Sequence, residues 1–151
     1  MADFTLSRST RIDAPPTRVH ALLDDFHQWQ RWSPWEGLDP AMERDYSGPA
    51  AGVGSTYRWS GNKKAGEGEM RMTASTVSRV AVDLEFLKPF KATNVTTFDL
   101  APAARGTDVT WTMTGVRNPA MAVLGKLFFD KAIAKDFDKG LASLKREAER
   151  P

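Results

Sequence analysis

The chain of 151 residues contains no cysteine. That excludes disulfides, thiol nucleophiles, iron–sulfur clusters and cysteine-based zinc sites together. Histidine is scarce: His20 and His27 are the only two. On one helix they would stand two turns apart, about 10 Å, too far to share a metal ion without other ligands. Neither a metal nor a cofactor is expected. No apolar run approaches the ~18 residues of a membrane span. The stretch Met1 to Arg8 holds no apolar segment of signal-peptide length. The expectation is a cytoplasmic protein without stable membrane insertion.

A large charge of one sign is also missing: 21 Lys and Arg face 19 Asp and Glu, a net of +2. A nucleic-acid binder concentrates its basic excess in a patch, and here acids and bases are interspersed, so no nucleic-acid partner is expected. The one basic row is Lys131, Lys135 and Lys139, flanked by Asp130, Asp136 and Asp138. It reads as a solvated helix face, or as a surface for an anionic partner. No Gly-x-Ser-x-Gly elbow supports a serine nucleophile, and Ser33-Pro34 reads as a helix stop. Gly48, Gly52 and Gly54 lack the Gly-Lys-Ser/Thr of a phosphate loop. With no repeat, low-complexity tract or linker, residues 1–151 are expected to form one domain.

What the sequence does hold is an ordinary globular balance, 41% apolar and 26% charged. Its oddity is five tryptophans in so short a chain. Thr5 to Ile12 reads as a first strand, stopped by Pro15-Pro16, which can open a helix. Val19, Leu22, Leu23 and Phe26 follow at helical spacing. Asp24 or Asp25 can cap a second short helix carrying Trp29 and Trp32. After a glycine-rich loop at 48–54 the period changes to two. Five further strands are expected, around Tyr57–Trp59, Glu67–Ala74, Val80–Phe86, Thr93–Leu100 and Asp108–Thr114. Asn118-Pro119 opens a last helix carrying Met121, Leu124 and Phe128, with a break allowed at Gly125. Its stripe continues through Phe129, Ile133, Phe137, Leu141 and Leu144.

This order has a physical consequence. One helix is ~10 Å wide, whereas six or seven strands at about 4.8 Å each span near 30 Å. The sheet must curl around the helix, and the two short helices close one end. A wrapped sheet of this kind leaves a cavity, where a ligand would sit.

The inward strand positions are Tyr57, Trp59, Met70, Met72, Leu84, Phe86, Phe98, Trp111 and Met113. Plain core packing accounts for part of them, a ligand-lining wall for the rest. Trp32 and Trp35 join that wall from the closing helices, and Phe129, Ile133 and Phe137 from the last helix. Gly140, on the same flank, leaves room for backbone or ligand to approach. A buried Trp or Tyr must satisfy its polar atom, which a ligand can do.

Glu36 follows Trp35 in an aromatic setting, where a carboxylate must be paired. It is either a polar anchor for a ligand, or half of an ion pair with a strand residue such as Arg58 or Arg71. Glu67 and Glu69 share a strand face opposite Met70 and Met72 and are expected in solvent. His27 is either an exposed histidine or a general base near the cavity mouth. Glu36 and His27 are thus the candidate catalytic residues.

Several motifs resemble one family along essentially the whole chain. They are Trp32-Ser33-Pro34-Trp35-Glu36, Gly61-Asn62 with Gly66-Glu67-Gly68-Glu69-Met70, and Lys88-Pro89-Phe90 with Ala92 and Asn94. Gly106-Thr107 with Val109-Thr110-Trp111, and Asp136-Phe137-Asp138-Lys139-Gly140-Leu141, complete the set. The chain resembles bacterial polyketide-cyclase-like proteins of the START-like (SRPBCC) superfamily, which includes the birch-pollen allergen type. The resemblance implies an α+β helix-grip fold: a curved antiparallel sheet of six to seven strands, two short helices after the first strand, and a long C-terminal helix over the sheet. It also implies a deep cavity for an apolar molecule such as a lipid, polyketide or isoprenoid.

The expected function is therefore non-catalytic binding or transport of a hydrophobic small molecule, by a monomer or homodimer, with Glu36 and Trp59 as polar anchors. The alternatives are a cyclase or dehydratase using Glu36 or His27 as base, and an interaction module resembling chaperone-ATPase activator domains.

Overall fold

Proline and aspartate set the first turns of the chain. The computed structural model describes residues 2–37, 39–63, 65–88, 91–117 and 128–151, with side chains for all of these except 2–3, 116–117 and 128–130. Strand β1 (Ala2–Ile12) stops before the two prolines, and Pro16 begins α1 (Pro16–Leu23). The Asp25 carboxylate accepts the His27 backbone N–H at 2.9 Å and caps α2 (Phe26–Arg31), a single 3₁₀ stretch. Phe26, expected on the stripe of α1, opens α2 instead.

The remaining elements are β2 (Glu43–Ser47), β3 (Thr56–Ser60), β4 (Glu67–Thr76), β5 (Arg79–Lys88), β6 (Ala92–Ala103), β7 (Gly106–Arg117) and α3 (Phe128–Glu149). Strand β2 has no counterpart among the strands read from the sequence. The expected start of the last helix at Asn118-Pro119, with Met121, Leu124 and Gly125, lies outside the described residues.

The described strands form one antiparallel sheet of order β1-β7-β6-β5-β4-β3-β2. Consecutive strands β1 and β2 thus occupy opposite edges, and the chain crosses between them through α1 and α2. Helix α3 packs on β1, and α1 packs on β6, β7 and α3. This is the curved sheet and gripped helix expected from the resemblance.

Register sorts the inward face into rows that run across the strands. One row is Trp111–Phe98–Val80, and the next is Met113–Thr96–Val82–Met72. A third is Asn94–Leu84–Met70–Tyr57–Tyr46, and a fourth Ala92–Phe86–Gly68–Trp59–Arg44. The first two rows are fully buried and meet α3 through Phe137, Leu141 and Leu144. The Phe137 and Trp111 rings stack with centroids 4.0 Å apart and planes 5° from parallel. Phe98 also stacks against Trp111, at 4.9 Å, Trp32 stands edge to face to both Trp111 and Phe98, and Trp29 edge to face to Phe98.

Two glycines permit these aromatic contacts. Gly68 lies under the Trp59 ring, which a Cβ there would strike. Gly140 faces Trp111 and Pro34: a Cβ would sit 2.8 Å from Trp111 Cζ3 and 2.9 Å from Pro34 Cδ. Neither ring can swing aside, since one is stacked and the other is a pyrrolidine. Alanine ordinarily stabilises a helix interior by about 1 kcal/mol over glycine, but overpacking costs about 1–3 kcal/mol. Gly140→Ala is therefore expected to lower stability, by up to about 2 kcal/mol in urea denaturation, against the helix propensity scale.

Candidate functional site

The third and fourth rows do not meet α3 in a solid layer. Between them and the first turns of α3 lies a cavity of about 280 Å³. Its sheet wall is Tyr57, Trp59, Met70, Leu84, Phe86 and Ala92. Ala132, Ile133 and Asp136 face it from α3, Trp29, Ser33, Trp35 and Glu36 from the closing segment, and Met42 and Ala65 complete it. Lys88 and Ala132 are exposed and mark its mouth.

Of the residues expected to line a ligand cavity, Trp35, Glu36, Tyr57, Trp59, Met70, Leu84, Phe86 and Ile133 are brought together here. Trp32, Met72, Phe98, Trp111, Met113 and Phe137 are not among the described lining residues and belong to the buried core. The reason is register. They occupy the first two rows, or the turns of α3 and α2 above them, where ring stacking fills the space. The side chain of Phe129 lies outside the described residues.

No indole is left to seek a ligand. Trp29 Nε1 donates to Leu23 O at 3.0 Å, and Trp32 Nε1 to Leu22 O at 2.9 Å. Trp35 Nε1 donates to Asp136 Oδ2 at 3.1 Å, Trp59 Nε1 to Ala65 O at 2.9 Å and Trp111 Nε1 to Thr96 Oγ1 at 2.7 Å. Trp59 therefore serves the wall through its apolar ring and is not a polar anchor.

Glu36 is the polar centre of the cavity. Its side chain is 12% exposed, and Arg44, 26% exposed, donates to Oε2 from Nη2 at 2.7 Å and from Nε at 3.3 Å. Tyr57 O–H donates to Oε1 at 3.3 Å. The expected partners Arg58 and Arg71 play no part: Arg58 pairs with Glu69 at 3.0 Å on the outer sheet face, and Arg71 is exposed. Arg44 was missed because β2 was missed. Its signal was the alternation Glu43-Arg44-Asp45-Tyr46-Ser47, a strand with one apolar residue. Glu67 and Glu69 face outward as expected, Glu67 lying 3.8 Å from Lys88.

The histidines are on different helices. His20 Nε2 lies 2.9 Å from Ser75 Oγ. His27 Nδ1 lies 2.7 Å from Asp25 Oδ1, and the half-exposed ring stacks on Tyr46 at 3.9 Å. His27 is not among the described lining residues, and Tyr46 separates it from Tyr57.

Burial pushes the Tyr57 phenol well above its usual range, and the Glu36 charge pushes it the same way. Burial also raises Tyr46. These are the chain's only two tyrosines. A raised folded-state pKa gives stability that is present below the ordinary phenol value near 10 and lost as pH rises through the folded value. Spectrophotometric titration of the folded protein is thus expected to leave both phenols less than half ionised at pH 10.0, with stability falling only above that. The ion pair yields a second expectation. Arg44→Met leaves Glu36 unpaired and is expected to cost about 2–3 kcal/mol in urea denaturation, after allowance for Arg44's partial exposure. Adding Glu36→Gln to Arg44→Met is expected to recover at least half of that loss.

Comparison with known proteins places this geometry. No curated protein matches the sequence. Among solved structures, the di-domain ARO/CYC BexL from the BE-7585A biosynthetic pathway superposes with a TM-score of 0.74 at 24% identity, covering 99% of this chain and 51% of that one. The Aha1 dimer structure from Colwellia psychrerythraea gives 0.69 at 20% identity over 97% and 96% of the two chains. Ara h 8.0201 gives 0.66 at 10% identity over 97% and 98%. At these identities they show a shared helix-grip fold. The family model described as polyketide cyclase / dehydrase and lipid transport matches residues 3–149, and with a gripped helix over a half-filled curved sheet already in view, the chain belongs to that family.

Proposed function

We propose that this protein binds a small apolar molecule in the cavity between the β3–β5 wall and the first turns of α3, and carries it without transforming it. The observation that carries the reading is the wall itself. Trp35, Tyr57, Trp59, Met70, Leu84, Phe86 and Ile133 surround about 280 Å³, with Glu36 and Arg44 as a fixed polar end. That volume lies just below the roughly 300–1,000 Å³ of ordinary ligand sites, so the molecule is a small one. Each 100 Å² of apolar ligand surface removed from water contributes roughly 2.5 kcal/mol, and two adaptable methionine and leucine side chains let the wall conform. The family description includes lipid transport, which supports the same reading.

Acid–base catalysis has one observation in its favour, the 3.3 Å contact of Glu36 with Tyr57. Three features argue for holding a ligand instead. Arg44 occupies Glu36 Oε2, Tyr57 keeps its proton at neutral pH, and His27 is engaged with Asp25 and Tyr46 away from the wall.

The test is titration with N-phenylnaphthylamine, a neutral fluorophore. Saturable binding of one molecule per chain is expected, with quenching of tryptophan emission. Leu84→Trp and Ile133→Trp each place an indole in the cavity and are expected to weaken binding about tenfold or more. Val95→Trp, on the exposed face, is expected to bind as the parent does. Unsaturable uptake, or unchanged affinity in both cavity variants with native circular dichroism, would overturn the reading.

A further inference from the structure

The polar groups of the cavity are unequal in kind, and that inequality selects the chemistry of the ligand. The donors on and behind its wall are committed: Arg44 and Tyr57 O–H to Glu36, Trp35 N–H to Asp136, Trp59 N–H to Ala65 O. What remains is chiefly acceptor capacity, with the Ser33 O–H as the one neutral side-chain donor left to a ligand among the described lining residues. A carboxylate offers about four lone-pair directions. Glu36 uses two at Oε2 for Arg44, and at Oε1 accepts the long 3.3 Å bond from Tyr57. Asp136, also on the wall, receives Trp35 at Oδ2. Ser33 is the one hydroxyl besides Tyr57 among the described lining residues, and its Oγ accepts the Trp35 backbone N–H at 3.4 Å.

The charges agree. Among the described lining residues the charged side chains are Glu36, Asp136 and Lys88. Lys88 is 75% exposed and lies 3.8 Å from Glu67, on the outward side. An anionic ligand would therefore bring a third carboxylate toward Glu36 and Asp136; Arg44 offsets Glu36 but is committed to its Oε2 by two hydrogen bonds, and the nearest lysine is at the rim. Like charges in a partly desolvated site repel strongly, and a buried anion without a donor is costly.

We propose that the cavity selects a neutral apolar molecule whose leading end carries a hydroxyl or N–H, donated to Glu36 Oε1, and rejects ionised carboxylic acids of the same shape. The proposal rests on the binding reading above and adds to it the direction of entry and the excluded class. Simple fatty acids fall in that excluded class; phenols, alcohols and amides fit.

The test displaces N-phenylnaphthylamine with three naphthalenes substituted at the same ring position: naphthol, methylnaphthalene and naphthoate. At pH 7 naphthol is expected to bind at least tenfold more tightly than naphthoate and several-fold more tightly than methylnaphthalene. Glu36→Gln removes the charge and leaves a weaker, neutral acceptor, so naphthoate is expected to gain about tenfold and naphthol to lose several-fold. Asp136→Asn is expected to move naphthoate in the same direction, which keeps the test open if one variant is poorly folded. Naphthoate binding as tightly as naphthol, or a preference unchanged in both variants, overturns the selection while leaving apolar binding intact. So does a fluorophore that binds but yields to none of the three. A fluorophore that does not bind at all removes both readings.

Discussion

One helix about 10 Å wide has to cover a sheet of seven strands some 30 Å across. Curling reduces the mismatch and does not remove it. The difference must be made up by side-chain volume, and aromatic rings supply the most volume per position. On the β1–β7–β6 side that volume suffices: Trp111 stacks on Phe137 and Phe98, Trp32 stands edge-on to Trp111 and Phe98, and Gly140 lets the Trp111 ring and Pro34 lie against the helix backbone. On the β3–β5 side it does not. There the wall turns to Met70, Leu84 and Phe86, α3 presents Ala132 and Ile133, and about 280 Å³ stays open. Core and cavity are two outcomes of the same geometric shortage.

That partition explains why the tryptophans are satisfied within the protein. An indole N–H in a packed region needs an acceptor, and each of the five finds one in a backbone carbonyl, a threonine or an aspartate. The excess of aromatic residues therefore builds plug and wall. Polarity inside the cavity comes from Glu36, held from the edge strand β2 by Arg44. A buried ion pair adds little net stability over apolar residues of similar volume, because desolvation offsets the attraction. Its value here is orientation: it fixes a carboxylate oxygen against an otherwise apolar space.

Much of this was legible in the sequence, and the illegible part has one cause. Alternation reveals which face of a strand a residue occupies, so Tyr57, Met70, Leu84, Phe98 and Trp111 were all placed inward. It does not reveal the row. Whether an inward residue meets Phe137 or the cavity depends on hairpin register and on the height of α3, both set by long-range pairing. Met70 and Met72 are two residues apart on one strand, yet one faces the cavity and the other is core. Strand β2 escaped for a different reason. It is an edge strand with one apolar residue, so its hydrophobic signal is nearly absent, and Arg44 went with it. Proline and cap signals are local, which is why α1 could be read and the cap of α2 narrowed to Asp24 or Asp25, of which the structure uses Asp25.

The family description joins cyclase, dehydrase and lipid transport, and the fold alone does not choose among them. The choice falls to the site's own groups. General acid–base catalysis needs a proton carrier matched to the working pH and free to move a proton. Tyr57 is pushed away from neutrality by burial, and Glu36 is clamped by a guanidinium. His27, the side chain whose ordinary range would suit, is tied to Asp25 and stacked on Tyr46. These commitments are what support the binding reading proposed above over the catalytic one. On that proposal the polar capacity left on the wall is chiefly acceptor capacity, and an acceptor facing an apolar space orients a molecule without needing to change it.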